Sequence, residues 1–231
     1  MKNNATWLKL VSKKLLAGLL IAVISLNILF LSGTVDFTAR AKTAYTTSCI
    51  TSGQRVLFIG DSRTVDLFSS KKHAIKGAVR NNITVYAKDG AGFDYMVDVI
   101  DDVGLENFDV VVTWMGANDR GNFSQYRKYY KKLLKTGVRL ILCTVGYSDN
   151  NKLADEGDEL YYNNNIMCRF NTSLKKFAKS YGITTIDLYT YTKKHVAVQS
   201  NNGVHYIPKP TKKIWNYTVK KLIKLLSTSQ Y

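Results

Sequence analysis

Val56-Leu57-Phe58-Ile59-Gly60-Asp61-Ser62-Arg63-Thr64 is an apolar run, rich in β-branched residues, that stops at a Gly-Asp-Ser turn. Such a stretch reads as a strand running into a helix, with Ser62 at the strand's carboxyl end. In an open α/β sheet that edge is where ligands bind, because strand ends and helix amino termini leave a crevice with unpaired backbone donors. Ser62 is therefore the first candidate for chemistry, set against the plainer role of a helix N-cap.

The same rhythm continues downstream. Residues 83–87 form a second strand, followed by the turn Gly90-Ala91-Gly92 and a helix on which Phe93, Met96, Val97 and Ile100 recur at i, i+3, i+4 and i+7. A third strand over 109–114 is nearly continuous in apolar residues, as strands buried on both faces are. It runs into Gly116-Ala117-Asn118-Asp119 and an amphipathic helix marked by Phe123, Tyr126, Tyr130, Leu133 and Leu134, which Gly137 closes. A strand over 138–145 and a polar segment over 146–158 come next, the latter either a substrate-shaping loop or a surface insertion. Ile166, Phe170, Leu174, Phe177 and Ala178 mark the following helix, residues 183–188 a fifth strand, and Gly203-Val204-His205-Tyr206 the last loop. Trp215, Val219, Leu222, Ile223 and Leu226 then face inward from a final helix whose lysines mostly face out. Strands alternating with helices, without a hairpin signal, predict one α/β domain over 55–231 with a parallel sheet of about five strands and helices on both faces. Residues 42–54, rich in Thr, Ser and Ala, read as a linker.

The first 41 residues differ from the rest. Lys2, Lys9, Lys13 and Lys14 precede the apolar run 15–31, and Ala39-Arg40-Ala41 fits the small-x-small pattern of a cleavage site. Seventeen helical residues span roughly 26 Å, between a signal-peptide core and a membrane anchor. The expectation is a signal peptide or signal anchor, with everything after it outside the cytoplasmic membrane. Removing residues 1–41 takes away five basic side chains and one acidic one, leaving +12 of the full chain's +16. A surface of that charge concentrates near polyanions such as cell-wall polymers or anionic headgroups. Nucleic acid is the rival partner, but the lysines are scattered as pairs over several helices, without the aromatic-interleaved motif that stacks bases, so no nucleic-acid partner is expected. Cys49, Cys143 and Cys168 show neither zinc spacing nor a disulfide framework.

Three polar turns, those carrying Ser62, Gly92 and Asn118, fall at one edge of the sheet, and a fourth loop brings His205. Acyl transfer needs a nucleophile, a base to take its proton, and donors aimed at the oxygen that becomes negative. Ser62 fits the first role and His205 the second. The backbone amides of Ser62 and Gly92, with the Asn118 side chain, fit the third. Each has a plainer alternative: Asn118 as a helix cap, Gly92 as a turn residue, His205 as one of three ordinary histidines. Their order and strand positions are what one active site requires.

On these motifs, Gly60-Asp61-Ser62, Gly92, Gly116-Ala117-Asn118-Asp119 and Gly203-Val204-His205, the chain over about residues 55–227 resembles the SGNH, or GDSL-type, hydrolases. The resemblance implies a flavodoxin-like three-layer α/β/α fold, a serine nucleophile, no metal or other cofactor, and ester or acetyl-ester substrates, often on carbohydrates or lipids. It makes Asp61, Gly116 and Asp119 supporting residues and leaves Gly90 as an alternative to Gly92 in the oxyanion hole. Some members transfer acyl groups instead of hydrolysing them. The family usually has aspartate three residues before the histidine, where this chain has Asn202. An asparagine can orient an imidazole through its amide oxygen but brings no charge. A backbone carbonyl or Asp187, at the end of the fifth strand, are the other candidates for that role, Asp187 having a helix-capping alternative. A catalytically weak or inactive domain that binds anionic wall polymer is the competing expectation.

Overall fold

The computed structural model describes Ile50 and residues 53–227. The expected export segment, its cleavage pattern and most of the linker lie outside the described residues. Among the described residues no helix is long and apolar enough to cross a membrane.

Six strands form the main sheet: β1 (Val56–Gly60), β2 (Ala74–Arg80), β3 (Ile83–Lys88), β4 (Val110–Trp114), β5 (Arg139–Cys143) and β6 (Thr184–Ile186). Their order is β2-β3-β1-β4-β5-β6. From β3 to β6 all neighbours are parallel. The chain leaves β1 toward β3 on one side and later returns to β4 on the other, which places the topological switch point between β1 and β4, where α/β sheets bind ligands.

Alternation along the central strands explains their unbroken apolar character. Val56 and Phe58 point into one core with Val65, Leu188, Trp215, Val219 and Leu222. Leu57 and Ile59 point into the other with Met96, Ile100, Tyr126, Tyr130, Phe170 and Leu174. The first core is covered by α1 (Ser62–Val65), α6 (Leu188–His195) and α7 (Lys212–Ser227); the second by α2 (Phe93–Val103), α3 (Ser124–Leu134) and α5 (Asn164–Ser180). A short helix α4 (Glu156–Tyr162) buries no side chain and lies in the chain between β5 and α5. The result is three layers, with the sheet between two helical faces.

Two expectations need correction. The sheet has six strands, not about five, and is not wholly parallel: β2 is an edge strand antiparallel to β3. The hairpin turn is Asn81-Asn82, whose φ values of 53° and 62° lie in the left-handed region that asparagine tolerates better than most residues. Asn81 also accepts the Trp215 indole N–H at 2.7 Å, tying the turn to α7. A bulge between Ile75 and Ala78, with Gly77 at φ 65°, breaks the alternation that identifies a strand. The second correction is a two-stranded antiparallel ribbon, β7 (Ala197–Val198) with β8 (Tyr206–Ile207), which brackets the histidine loop.

Candidate active site

The β1 strand ends against α1, whose N-cap is Asp61: its Oδ1 accepts the Arg63 N–H at 2.9 Å. Ser62 is thus the first helical residue, not the cap. Its N–H belongs to the group of helix-end donors that have no acceptor inside the helix. Two groups of opposite charge, Asp61 and Arg63, are buried at this turn, with no side-chain ion pair between them among the described residues. The Arg63 guanidinium is buried and gives Nη1 to the Gly146 carbonyl at 3.0 Å, while Nε and Nη2 find no protein acceptor. Burial pushes the Asp61 carboxyl up to about 6, against the opposing pull of Arg63, the Arg63 N–H bond and the nearby His205.

After β3, the Gly90-Ala91-Gly92 turn leads into α2 with Gly92 as N-cap. After β4, Asn118 and Asp119 reach across to this turn. Asn118 donates one Nδ2 hydrogen to the Ala91 carbonyl at 2.8 Å and accepts the Tyr162 hydroxyl at its Oδ1 at 2.9 Å. A primary amide has two N–H donors, so one remains. Asp119 accepts the Phe93 N–H at Oδ1 (3.1 Å) and the Tyr126 hydroxyl at Oδ2 (2.8 Å). It thereby caps α2 from another loop and fixes Gly92 relative to β4. Burial raises the Asp119 carboxyl despite these two hydrogen bonds, which favour its charged form. Gly116 supports the turn sterically, since a Cβ there would lie 2.3 Å from the Phe170 ring.

His205 sits in a loop pinned at several points. Asn202 Oδ1 accepts the backbone N–H groups of Val204 (3.1 Å) and His205 (2.9 Å). The Asp149 N–H reaches the Gly203 carbonyl, and a Cβ on Gly203 would come within 2.7 Å of the Leu153 nitrogen, so this loop and the 149–153 segment touch backbone to backbone. The ring Nδ1 meets Asp66 Oδ2 at 2.5 Å, with the histidine side chain 22% and the aspartate 10% exposed. With Nδ1 donating its hydrogen to that carboxylate, Nε2 carries the lone pair a general base uses.

The structure therefore brings Gly92 and Asn118 together through Ala91, and His205 to the helix that Ser62 opens. It leaves Asn202 as a turn residue bonded to backbone, not to the imidazole. Asp187 is the N-cap of α6, accepting Thr144, Thr190 and Lys175. Tyr162 and Asp66 were absent from the sequence-derived set. For Asp66 a local signal exists: it lies four residues after Ser62, the spacing that puts two side chains on one helix face. Among the described residues no cluster of histidine, cysteine and carboxylate side chains could hold a metal ion.

No protein-family model matches the chain, and no curated protein matches it in sequence. Solved structures do match. An acylhydrolase from Bacteroides fragilis aligns with TM-score 0.56 at 17% identity, covering 79% of this chain and 90% of the other. A GDSL-like lipase from Bacteroides thetaiotaomicron aligns with TM-score 0.55 at 16% identity, covering 80% and 97%. A lipase/acylhydrolase from Enterococcus faecalis gives 0.54 at 17%, covering 77% and 100%. At such identities the likeness is one of fold: this chain has the α/β fold of the GDSL-type acylhydrolases.

Proposed function

We propose that the chain is a serine esterase of the SGNH class. The observation that carries the reading is the Asn118–Ala91 hydrogen bond, which joins the loops after β3 and β4 beside the turn that presents Ser62. The reading takes three donors from these neighbouring strand ends, β1 lying between β3 and β4: the Ser62 and Gly92 N–H groups and the second Asn118 amide hydrogen. In the reaction, Ser62 Oγ attacks the ester carbonyl carbon while His205 Nε2 takes the hydroxyl proton. The carbonyl oxygen becomes negative and is held by the three donors. Collapse of the tetrahedral intermediate breaks the bond to the alcohol, which leaves with the proton from His205. Water, deprotonated by the same nitrogen, then attacks the acyl-serine and releases the acid and Ser62.

For substrate, the reading is an acetyl ester on carbohydrate outside the cytoplasm. It rests on the amino-terminal export pattern, on the +12 charge expected near anionic wall polymers, and on acylhydrolases sharing the fold. Acyl transfer to a second hydroxyl would use the same steps with that hydroxyl in place of water. The rival idea of an inactive wall-binding domain rested on Asn202 as well as on charge, and the carboxylate of Asp66 beside His205 removes the first of these grounds. The test is hydrolysis of p-nitrophenyl acetate and labelling by a fluorophosphonate probe, parent against Ser62→Ala. Loss of both in the variant is expected; equal rates in parent and variant would refute the esterase reading.

A further inference from the structure

We infer that the acid of this site has moved: Asp66, on the nucleophile's own helix, orients His205 in place of the aspartate expected three residues before the histidine. The inference rests on the esterase reading above. Of the groups that were candidates to face the imidazole, Asn202 spends its oxygen on two backbone N–H groups, and Asp187 spends both of its oxygens on the start of α6 and on Thr144 and Lys175. The charged groups around the ring are Asp66 at Nδ1, Lys209, whose Nζ lies 2.9 Å from the same Asp66 oxygen, and the buried Asp61.

Asp66 is also the anchor of the whole loop. Its backbone carbonyl accepts the Thr211 N–H at 2.8 Å, so its main chain and side chain together hold residues 205, 209 and 211. Because Asp66 is the C-cap of α1, one turn from Ser62, the nucleophile and the acid are set relative to each other by a single helical turn. An amide at position 202 then costs the site nothing in charge, since the carboxylate needed to stabilise the imidazolium arrives from the other side. Lys209 holds that carboxylate against the loop. Asp66 is a positioning residue, acting on the reaction through His205.

The experiment compares the full-length parent with Ser62→Ala, Asp66→Asn and Asn202→Ala, measuring kcat and KM on p-nitrophenyl acetate and recording the downfield NMR signal of the His205 Nδ1 proton, which the bond to Asp66 places there. Loss of the acid's charge in a serine protease triad cost about 10⁴-fold through the wrong imidazole tautomer. Asp66→Asn is accordingly expected to lower kcat by about 10²- to 10⁴-fold with little change in KM, and to remove that downfield signal or move it upfield. Asn202→Ala is expected to lose at least tenfold less and to leave the signal in place. The inference is overturned if Asp66→Asn stays within about threefold of the parent, or if Asn202→Ala removes the signal and Asp66→Asn does not. Should Ser62→Ala retain the parent's ester turnover, it is the esterase reading that fails, and the proton signal alone decides the pairing.

Discussion

The Tyr162 hydroxyl donates to Asn118 Oδ1 across 2.9 Å, so the end of α4 holds the amide whose nitrogen faces the Ala91 turn. An asparagine bonded at both ends is held in one rotamer, and the segment after β5 thereby bears on the proposed oxyanion site through Tyr162. Removing one oxyanion donor typically costs about 10²- to 10³-fold in turnover. Asn118→Ala is expected to show that loss in kcat. Tyr162→Phe keeps the ring and removes only the bond, with an expected loss of about tenfold; the same value for both variants would place Asn118 outside the oxyanion hole.

Gly90 and Gly92 separate by what a methyl group would do at each. At Gly92 the backbone is ordinary, but a Cβ would sit 3.2 Å from Asp119 Oδ1, the atom that caps Phe93. At Gly90 the space is open, but φ is 67°, which costs a side chain roughly 1–2 kcal/mol. Gly92→Ala is expected to appear mainly in kcat and Gly90→Ala mainly in the urea midpoint. A larger kcat loss in the Gly90 variant would reassign the oxyanion glycine to position 90.

Asp61 carries a pH signature. Its unfolded carboxyl ionises near the usual 3.9, the folded one at about 6, because burial disfavours the charge more than Arg63 and the Arg63 N–H favour it. Between those values the unfolded chain releases the proton first, so this group's contribution to stability falls as pH rises from about 4 to about 6 and is not lost below 4. Asparagine is as good an N-cap and stays neutral. Relative to the parent, Asp61→Asn is expected to gain stability by about 2 kcal/mol between pH 4 and pH 7, read from denaturant unfolding at both. A stability difference that does not change with pH would contradict the assignment.

Asn81 has two jobs that paired substitutions distinguish. Asn81→Gly keeps the left-handed turn but leaves the buried Trp215 N–H without its acceptor, a loss of about 1–3 kcal/mol. Asn81→Ala adds the cost of a side chain at φ 53°, roughly 1–2 kcal/mol more. Equal unfolding free energies for the two variants would mean the turn is not strained for alanine.

What the sequence made legible follows from burial. The parallel strands announce themselves because both faces of each are covered, so Val56 to Ile59 and Val110 to Val112 are apolar without interruption. The turns bearing Ser62, Gly92 and Asn118 stand out as the polar ends of those runs. Strand β2 gives no such signal: Lys76 and Arg80 face solvent, Gly77 bulges, and its turn is Asn-Asn instead of a glycine pair. The partner of His205 is hidden for a different reason. Asp66 lies 139 residues away in the chain, and the local pattern around the histidine, Asn202-Gly203-Val204-His205, points to a residue whose oxygen the backbone has already taken.

The bulged hairpin strand also governs how the sheet meets other molecules. An open sheet ends in rows of unpaired amides and carbonyls that invite a strand from a neighbouring chain. Here one border is β2, kinked at Gly77 and studded with Lys76 and Arg80, and the other is β6, only three residues long. Neither offers a flat template. Copies of the domain can therefore crowd together without zipping edge to edge into fibrils.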